Sequence, residues 1–125
     1  MEEYSATIIE CSKELSARER IKIKDTTACT KLDEATQVED VIIIPDYYAI
    51  ISVHNEKSEN KDYEVLVVAD KVTGETYVTG SKSFKDAFLN IFNEMQGESE
   101  EYSVKAYRRE SANYKGKEFI TCTIL

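Results

Sequence analysis

Residues 83–95 read SFKDAFLNIFNEM, and the order of elements around this stretch decides the fold. Its apolar side chains recur at i, i+3, i+4, i+7, i+8 and i+11, which is the spacing of one face of an α-helix. They are Phe84, Ala87, Phe88, Ile91, Phe92 and Met95. Because Phe88 and Phe92 lie in the middle of this stripe, we expect both rings to pack in the core rather than to bind a ligand.

Both ends of this helix are marked. Ser83 followed by Asp86 resembles a capping box, in which two side chains satisfy backbone N–H groups of the first turn. Gly97 is a natural stop, because glycine readily takes the backbone conformation that ends a helix. The sequence therefore predicts a helix over residues 83–96, and no second helix of that length.

Short strand patterns flank the helix. Before it stand SATIIE (5–10), RIKIKD (20–25), DYYAIISVHNE (46–56), YEVLVVAD (63–70) and TYVTG (76–80), and after it EYSVKAYRR (101–109) and EFITCTIL (118–125). RIKIKD alternates apolar and basic residues, which favours a strand with Ile21 and Ile23 inward. YEVLVVAD has a nearly continuous apolar middle, which favours a central strand. Gly74 suits the turn that follows it.

Strands, one helix and two further strands follow each other in an OB-fold, whose five strands form a small barrel. We therefore expect a mainly β protein with one helix and an OB-fold-like small barrel. An α+β sheet with one packed helix has the same order of elements and remains the alternative. The 125 residues are a suitable length for a single domain.

Composition argues against several classes of protein. No apolar run approaches the roughly 20 residues that span a bilayer, and the first residues lack the pattern of a secretory signal. Three cysteines without a metal-binding spacing favour a reduced, cytoplasmic protein. There is no glycine-rich phosphate loop, no nucleophile in a signature context, and only one histidine, His54. We expect no enzymatic activity, no cofactor and no association with membranes.

The charge is distributed unevenly. The chain carries a net charge of −8, yet residues 105–117 hold five basic residues against one glutamate, a net +4. Residues 13–24 hold five basic residues against two glutamates, a net +3, so the rest of the chain sums to −15. Binders of duplex DNA are usually basic domains, so the total argues against simple duplex binding. It allows a basic stripe on an acidic body.

One basic segment coincides with a predicted hairpin at the end of the sequence. If residues 102–109 pair with residues 118–125, period-two alternation separates an apolar face from a mixed face. The mixed face and its loop would carry Lys105, Tyr107, Arg109, Tyr114, Lys115, Lys117 and Phe119. Aromatic rings stack on any base and cations follow the phosphates, so this combination favours single-stranded nucleic acid. The alternative is that the tyrosines are ordinary strand formers and the lysines solvate an edge.

In its layout the chain resembles the small single-stranded-DNA-binding proteins of protein-primed tailed bacteriophages, over roughly residues 46–125. The shared words, in order, are DYYAIIS, KSENKD, VLVVAD, KVTG, ETYVTGSKSFKDAF and SANYKGKEFITCTIL. The resemblance implies an OB-like fold and sequence-independent coating of displaced single strands during DNA replication, in the host cytoplasm and alongside replication proteins. It also implies that Tyr48 and Tyr77 stack on bases. The family's second aromatic residue has no clear equivalent here, although His54 lies nearby.

A protein-interaction module is the competing class. The acidic remainder of the chain would then mimic DNA and inhibit a host DNA-binding enzyme, and the basic hairpin would be incidental. The two classes differ in which surface of the protein binds the partner, the basic hairpin or the acidic remainder. Binding to a labelled oligo-dT strand distinguishes them.

Overall fold

A computed structural model of the chain describes residues 4–57, 61–111 and 116–125. In chain order its elements are β1 (Tyr4–Cys11), α1 (Ala17–Lys24), β2 (Thr30–Lys31), α2 (Leu32–Ala35), β3 (Val41–Ile43), β4 (Pro45–Asn55), β5 (Asp62–Asp70), β6 (Thr76–Thr79), α3 (Lys82–Met95), β7 (Val104–Glu110) and β8 (Glu118–Ile124). A short 3-10 turn, Thr26–Ala28, connects α1 to β2.

The strands form two sheets. The five-stranded sheet has the order β1-β4-β5-β6-β2, and the three-stranded sheet has the order β3-β7-β8. Neighbouring strands are antiparallel except β2 and β6, which run parallel. The protein is therefore mainly β, as expected, with β5 inside its sheet. The strand pairings among the described residues do not close a barrel.

The main core lies between the two sheets, and α3 packs into it. Phe84 and Phe88 are fully buried there, and the two rings stack with their centroids 6.0 Å apart. The inner face of the three-stranded sheet contributes Ile43, Val104, Ala106, Ile120 and Cys122. The five-stranded sheet contributes Tyr48, Ile50, Leu66, Val68 and Tyr77. The half-buried Phe92 packs against this cluster, so the predicted core role of the phenylalanine stripe is confirmed.

The helix prediction is confirmed for its extent but not for its cap. Helix α3 has 14 residues, is the longest helix in the described ranges, and ends just before Gly97, whose φ is +91°. Its N-cap is Ser81, whose hydroxyl oxygen accepts the Phe84 N–H at 3.2 Å. Ser83 instead donates to the Ile120 carbonyl oxygen at 2.8 Å, so it fastens α3 to β8. No helix in these ranges is long and apolar enough to cross a membrane.

A second core covers the opposite face of the five-stranded sheet, and here one prediction is wrong. RIKIKD belongs mostly to α1, not to a strand. Ser16 and Glu19 form a capping box at the start of α1, so the helix has its own start signal. Ile23 is fully buried while Ile21 is 70% exposed, because only one side of this short helix meets the sheet. Leu15, Ile23 and Cys29 cover the sheet residues Tyr47, Ala49, Ile51, Val53, Val67, Ala69 and Val78.

We expect Phe88→Ala to lower the free energy of unfolding by about 3–5 kcal/mol, because it removes a fully buried ring from between two sheets. A urea melt measures this change. Ile21→Ala is the control, since it shortens an apolar side chain that is 70% exposed and should change stability by only about 0.5 kcal/mol or less. Equal losses in the two variants would contradict the assignment of α3 to the core.

Candidate nucleic-acid interface

The predicted hairpin is present, with the predicted faces. Strand β7 pairs with β8 so that Tyr107 lies opposite Thr121 and Arg109 lies opposite Phe119. Val104 and Ala106 are fully buried on the inner side, whereas Tyr107 and Phe119 are half-buried and belong to neither hydrophobic cluster of the described residues. The register therefore brings the two rings and the two predicted cations of these strands, Lys105 and Arg109, to one face.

Strand β3 widens this face, although no sequence pattern places it beside the hairpin. Ile42 pairs with Lys105 across the sheet and is 48% exposed, while its neighbour Ile43 is fully buried. We call the exposed side of the three-stranded sheet the outer face. It consists of Ile42, Lys105, Tyr107, Arg109, Phe119, Thr121 and Thr123. An entirely apolar run such as VIII (41–44) does not show which of its residues points outward, so the sequence held no signal for Ile42.

The Lys105 ammonium group already has two neighbours in the unbound protein. Its Nζ lies 5.2 Å from the centroid of the Tyr107 ring, within the range of a cation–π interaction. It also lies 4.0 Å from a carboxylate oxygen of Asp40, the residue that precedes β3. Asp40 thus belongs to the rim of the outer face, although no spacing in the sequence connects it with the hairpin.

The predicted stacking roles of Tyr48 and Tyr77 are wrong for this structure, because both rings lie in the main core and are only 8% exposed. Tyr48 packs edge-to-face on Phe92, with centroids 5.0 Å apart, and donates its hydroxyl proton to Glu10 at 2.8 Å. Burial, assisted by that hydrogen bond, raises the pKa of Tyr48 to about 12. Burial and a hydrogen bond to Glu75 do the same for Tyr77, also to about 12. Neither ring offers a face to a base.

The remaining cations of the basic segment have different positions. Lys117 is exposed beside the outer face, where its carbonyl oxygen accepts the Ser111 N–H at 2.8 Å. Lys115 and Tyr114 lie outside the described residues. Arg108 points to the inner side, where it donates to the Asp33 carbonyl oxygen and lies 3.9 Å from Glu118. The net charge of +4 in the sequence is therefore divided between the outer face and a structural contact with α2.

A scan against protein-family models finds no match to this chain, and searches of curated proteins and of solved structures find no similar protein.

His54 lies at the loop end of the β4–β5 hairpin, where it pairs with Asp62. Its two ring nitrogens are each 2.7 Å from a carboxylate, Nδ1 from Asp62 and Nε2 from Glu56. Lys61 extends the cluster, with its ammonium 3.2 Å from Glu56. The hydrogen bonds that His54 donates to Asp62 and Glu56 raise its pKa above 6.5, because they favour the charged imidazolium. These contacts join the two strands and give His54 a structural role.

We therefore expect stability to depend on pH through His54. The folded pKa is raised, so the stabilising contribution is fully present below the unfolded value near 6.5 and is lost as pH rises through the folded value. Urea midpoints of the wild type and His54→Gln should converge as pH rises from 6 to 9. Midpoints that differ by a constant amount over this range would contradict the assignment.

Proposed function

We propose that this protein binds single-stranded DNA without sequence preference, through the outer face of its three-stranded sheet. The observation that carries the proposal is the register of β7 and β8, which puts Tyr107, Phe119, Lys105 and Arg109 on one sheet face, outside both hydrophobic clusters of the described residues. Stacking rings combined with cations suit a nucleic-acid strand whose bases are unpaired. Paired bases within a duplex do not offer their flat faces to a sheet.

The positions of the two rings support stacking on neighbouring bases. Tyr107 lies opposite Thr121, and Phe119 lies two residues from Thr121 on the same strand, so the rings are diagonal neighbours. Side chains in that relation stand about 7–8 Å apart across a sheet, within reach of consecutive bases of an extended strand. Thr121, the residue between them, is small and leaves room for the backbone of the nucleic acid.

The charges support backbone contacts but limit their strength. Lys105 and Arg109 alternate with Tyr107 along β7, so a strand that stacks on the ring passes both cations. The acidic remainder of the chain, a net −15, repels phosphates at longer range. We therefore expect moderate affinity that depends on salt, and coating of a strand by many molecules rather than tight binding by one.

The strand order supports an OB-like assignment in an opened form. Strands β4, β5 and β6 are neighbours in one sheet, and α3 follows them in the chain. Strands β7 and β8 come next and form the second sheet with β3, the strand that leads into β4. In an OB-fold the ligand usually crosses the second and third strands. The equivalents here are β5 and β6. Leu66–Asp70 of β5 and all of β6 are buried, with one face in each core, which moves the proposed site to the outer face. In a phage-infected cell, the protein would coat displaced strands in the host cytoplasm alongside replication proteins.

Removing either ring from the outer face should weaken binding to oligo-dT. We expect Tyr107→Ala and Phe119→Ala each to cost about 1–3 kcal/mol of binding free energy, because each removes a stacking surface. Fluorescence anisotropy with a labelled oligo-dT measures this cost. Tyr63→Ala is the matched control, since its ring packs against the core on the other side of the five-stranded sheet. Thermal melts of all variants show whether each one is folded.

Removing a cation from the outer face should instead change how strongly the binding constant depends on salt. Arg109→Ala should reduce the slope of log K against log salt by about 0.7, the contribution of one phosphate contact on a single strand. Arg18→Ala on the exposed side of α1 is the control and should leave this slope unchanged. Tyr107→Ala should also leave it nearly unchanged, which separates stacking from charge.

The proposal has a simple point of failure. If the wild-type protein does not bind oligo-dT at low salt and at tens of micromolar protein, the outer face is not a single-strand site. The acidic protein-interaction module would then take its place.

A further inference from the structure

Two tyrosine rings of this protein each lie beside a lysine ammonium that also approaches an aspartate. The surroundings of the two rings differ. On the outer face, the Lys105 ammonium lies 5.2 Å from the ring centroid of Tyr107 and 4.0 Å from Asp40. On the other sheet, the Lys13 ammonium lies 5.1 Å from the ring centroid of Tyr47 and 3.4 Å from Asp46. The Tyr47 ring belongs to the second core and is 5% exposed, whereas Tyr107 is half-buried on the outer face.

The arrangement on the outer face restricts the groups that would bind a strand. The Lys105 ammonium lies within cation–π distance of the Tyr107 ring, so it competes with a base that stacks on that side of the ring. A phosphate that pairs with Lys105 competes with the Asp40 carboxylate, which is 56% exposed and sits at the rim of the same sheet. In the unbound protein, Lys105 therefore already contacts both the Tyr107 ring and the Asp40 carboxylate. These are the two groups, ring and ammonium, that a nucleic-acid strand would bind.

We propose that Asp40 restrains single-strand binding by holding Lys105 over the Tyr107 ring, so that the outer face is self-shielded until a strand displaces the contact. This inference rests on the proposed function, and it concerns how the same site is regulated. Binding exchanges Lys105–Asp40 for Lys105–phosphate and replaces the ammonium on the ring by a base. Asp40 is a positioning residue in this scheme, because it acts through Lys105 and contacts no nucleotide.

Neutralising the carboxylate tests this role. Asp40→Asn should tighten binding to oligo-dT by about two- to five-fold at low salt, the size expected for an exposed ion pair. It should also make the slope of log K against log salt steeper, by up to about 0.7, because Lys105 becomes fully available to a phosphate. Both quantities come from anisotropy titrations at several salt concentrations.

Asp46→Asn is the matched control. It removes one carboxylate from the equivalent contact on Lys13 and changes the net charge by the same amount, but on the other sheet. It should leave the affinity within measurement error of the wild type. Equal gains in Asp40→Asn and Asp46→Asn would overturn the inference, since the effect would then be one of net charge alone.

A double-mutant cycle separates the action through Lys105 from direct repulsion of phosphate by Asp40. In the Lys105→Ala background, Asp40→Asn should give no further gain. A gain of undiminished size in that background would overturn the inference and leave Asp40 as a simple repulsive charge. A wild-type protein that binds oligo-dT while Asp40→Asn binds equally well also overturns it, and leaves the proposed function intact. Failure of both proteins to bind instead overturns the proposed function.

Discussion

The architecture depends on one corner, where the chain leaves the three-stranded sheet and enters the five-stranded sheet. Ile44 is the only residue between β3 and β4, and both of its backbone groups are held. Its N–H donates to the Asp70 carboxylate at 3.1 Å, and its carbonyl oxygen accepts the Lys71 N–H at 2.8 Å. Pro45 follows and has no N–H to satisfy. The corner therefore leaves no backbone group of Ile44 unpaired.

Asp70 stabilises this corner because its carboxylate accepts hydrogen bonds from backbone N–H groups of two segments. Besides Ile44, it accepts the N–H groups of Val72 at 2.8 Å and Thr73 at 2.9 Å, in the turn after β5. Burial alone would raise the pKa of Asp70, but these hydrogen bonds outweigh it and hold the pKa below its usual value. One charged side chain thus fixes the β5–β6 turn and the sheet corner relative to each other. The rest of the fold follows, since β3 can lie beside β7 only if the chain bends here.

Sequence patterns predicted the elements whose environment is one-sided. Helix α3 has a single apolar stripe, and β7 and β8 have one apolar face each, so their periodicity reports which side is buried. Strand β4 is different, because α3 covers one of its faces and α1 covers the other. Tyr48 and Tyr47 then both lie in cores, and alternation cannot distinguish a displayed ring from a packed one. The same limit applies to Tyr77 on the short strand β6.

Two further differences arose from contacts between distant parts of the chain. RIKIKD alternates like a strand, but the capping box at Ser16 and the burial of Ile23 favour a helix. The alternation alone does not show which of the two structures is more stable. Ile42 and Asp40 lie beside the hairpin only because of the sheet corner at Ile44. This corner precedes the first strand of the hairpin by about 60 residues, so no local pattern connects them. The candidate site could therefore be predicted on β7 and β8, where it is local, but not on β3.

The distribution of charge over the fold limits how the outer face would bind a single strand under the proposed function. The basic residues of 13–24 belong to α1 and its flanks, on the far side of the five-stranded sheet, so they add nothing to the outer face. Arg108 is used to hold α2 against the three-stranded sheet. Among the described residues, Lys105 and Arg109 are the cations of the outer face beside Tyr107 and Phe119, and Asp40 lies 4.0 Å from Lys105. Under the proposed function, stacking would therefore supply most of the affinity. Because stacking ignores the identity of the base, such a face would favour unpaired strands over duplex and accept any sequence.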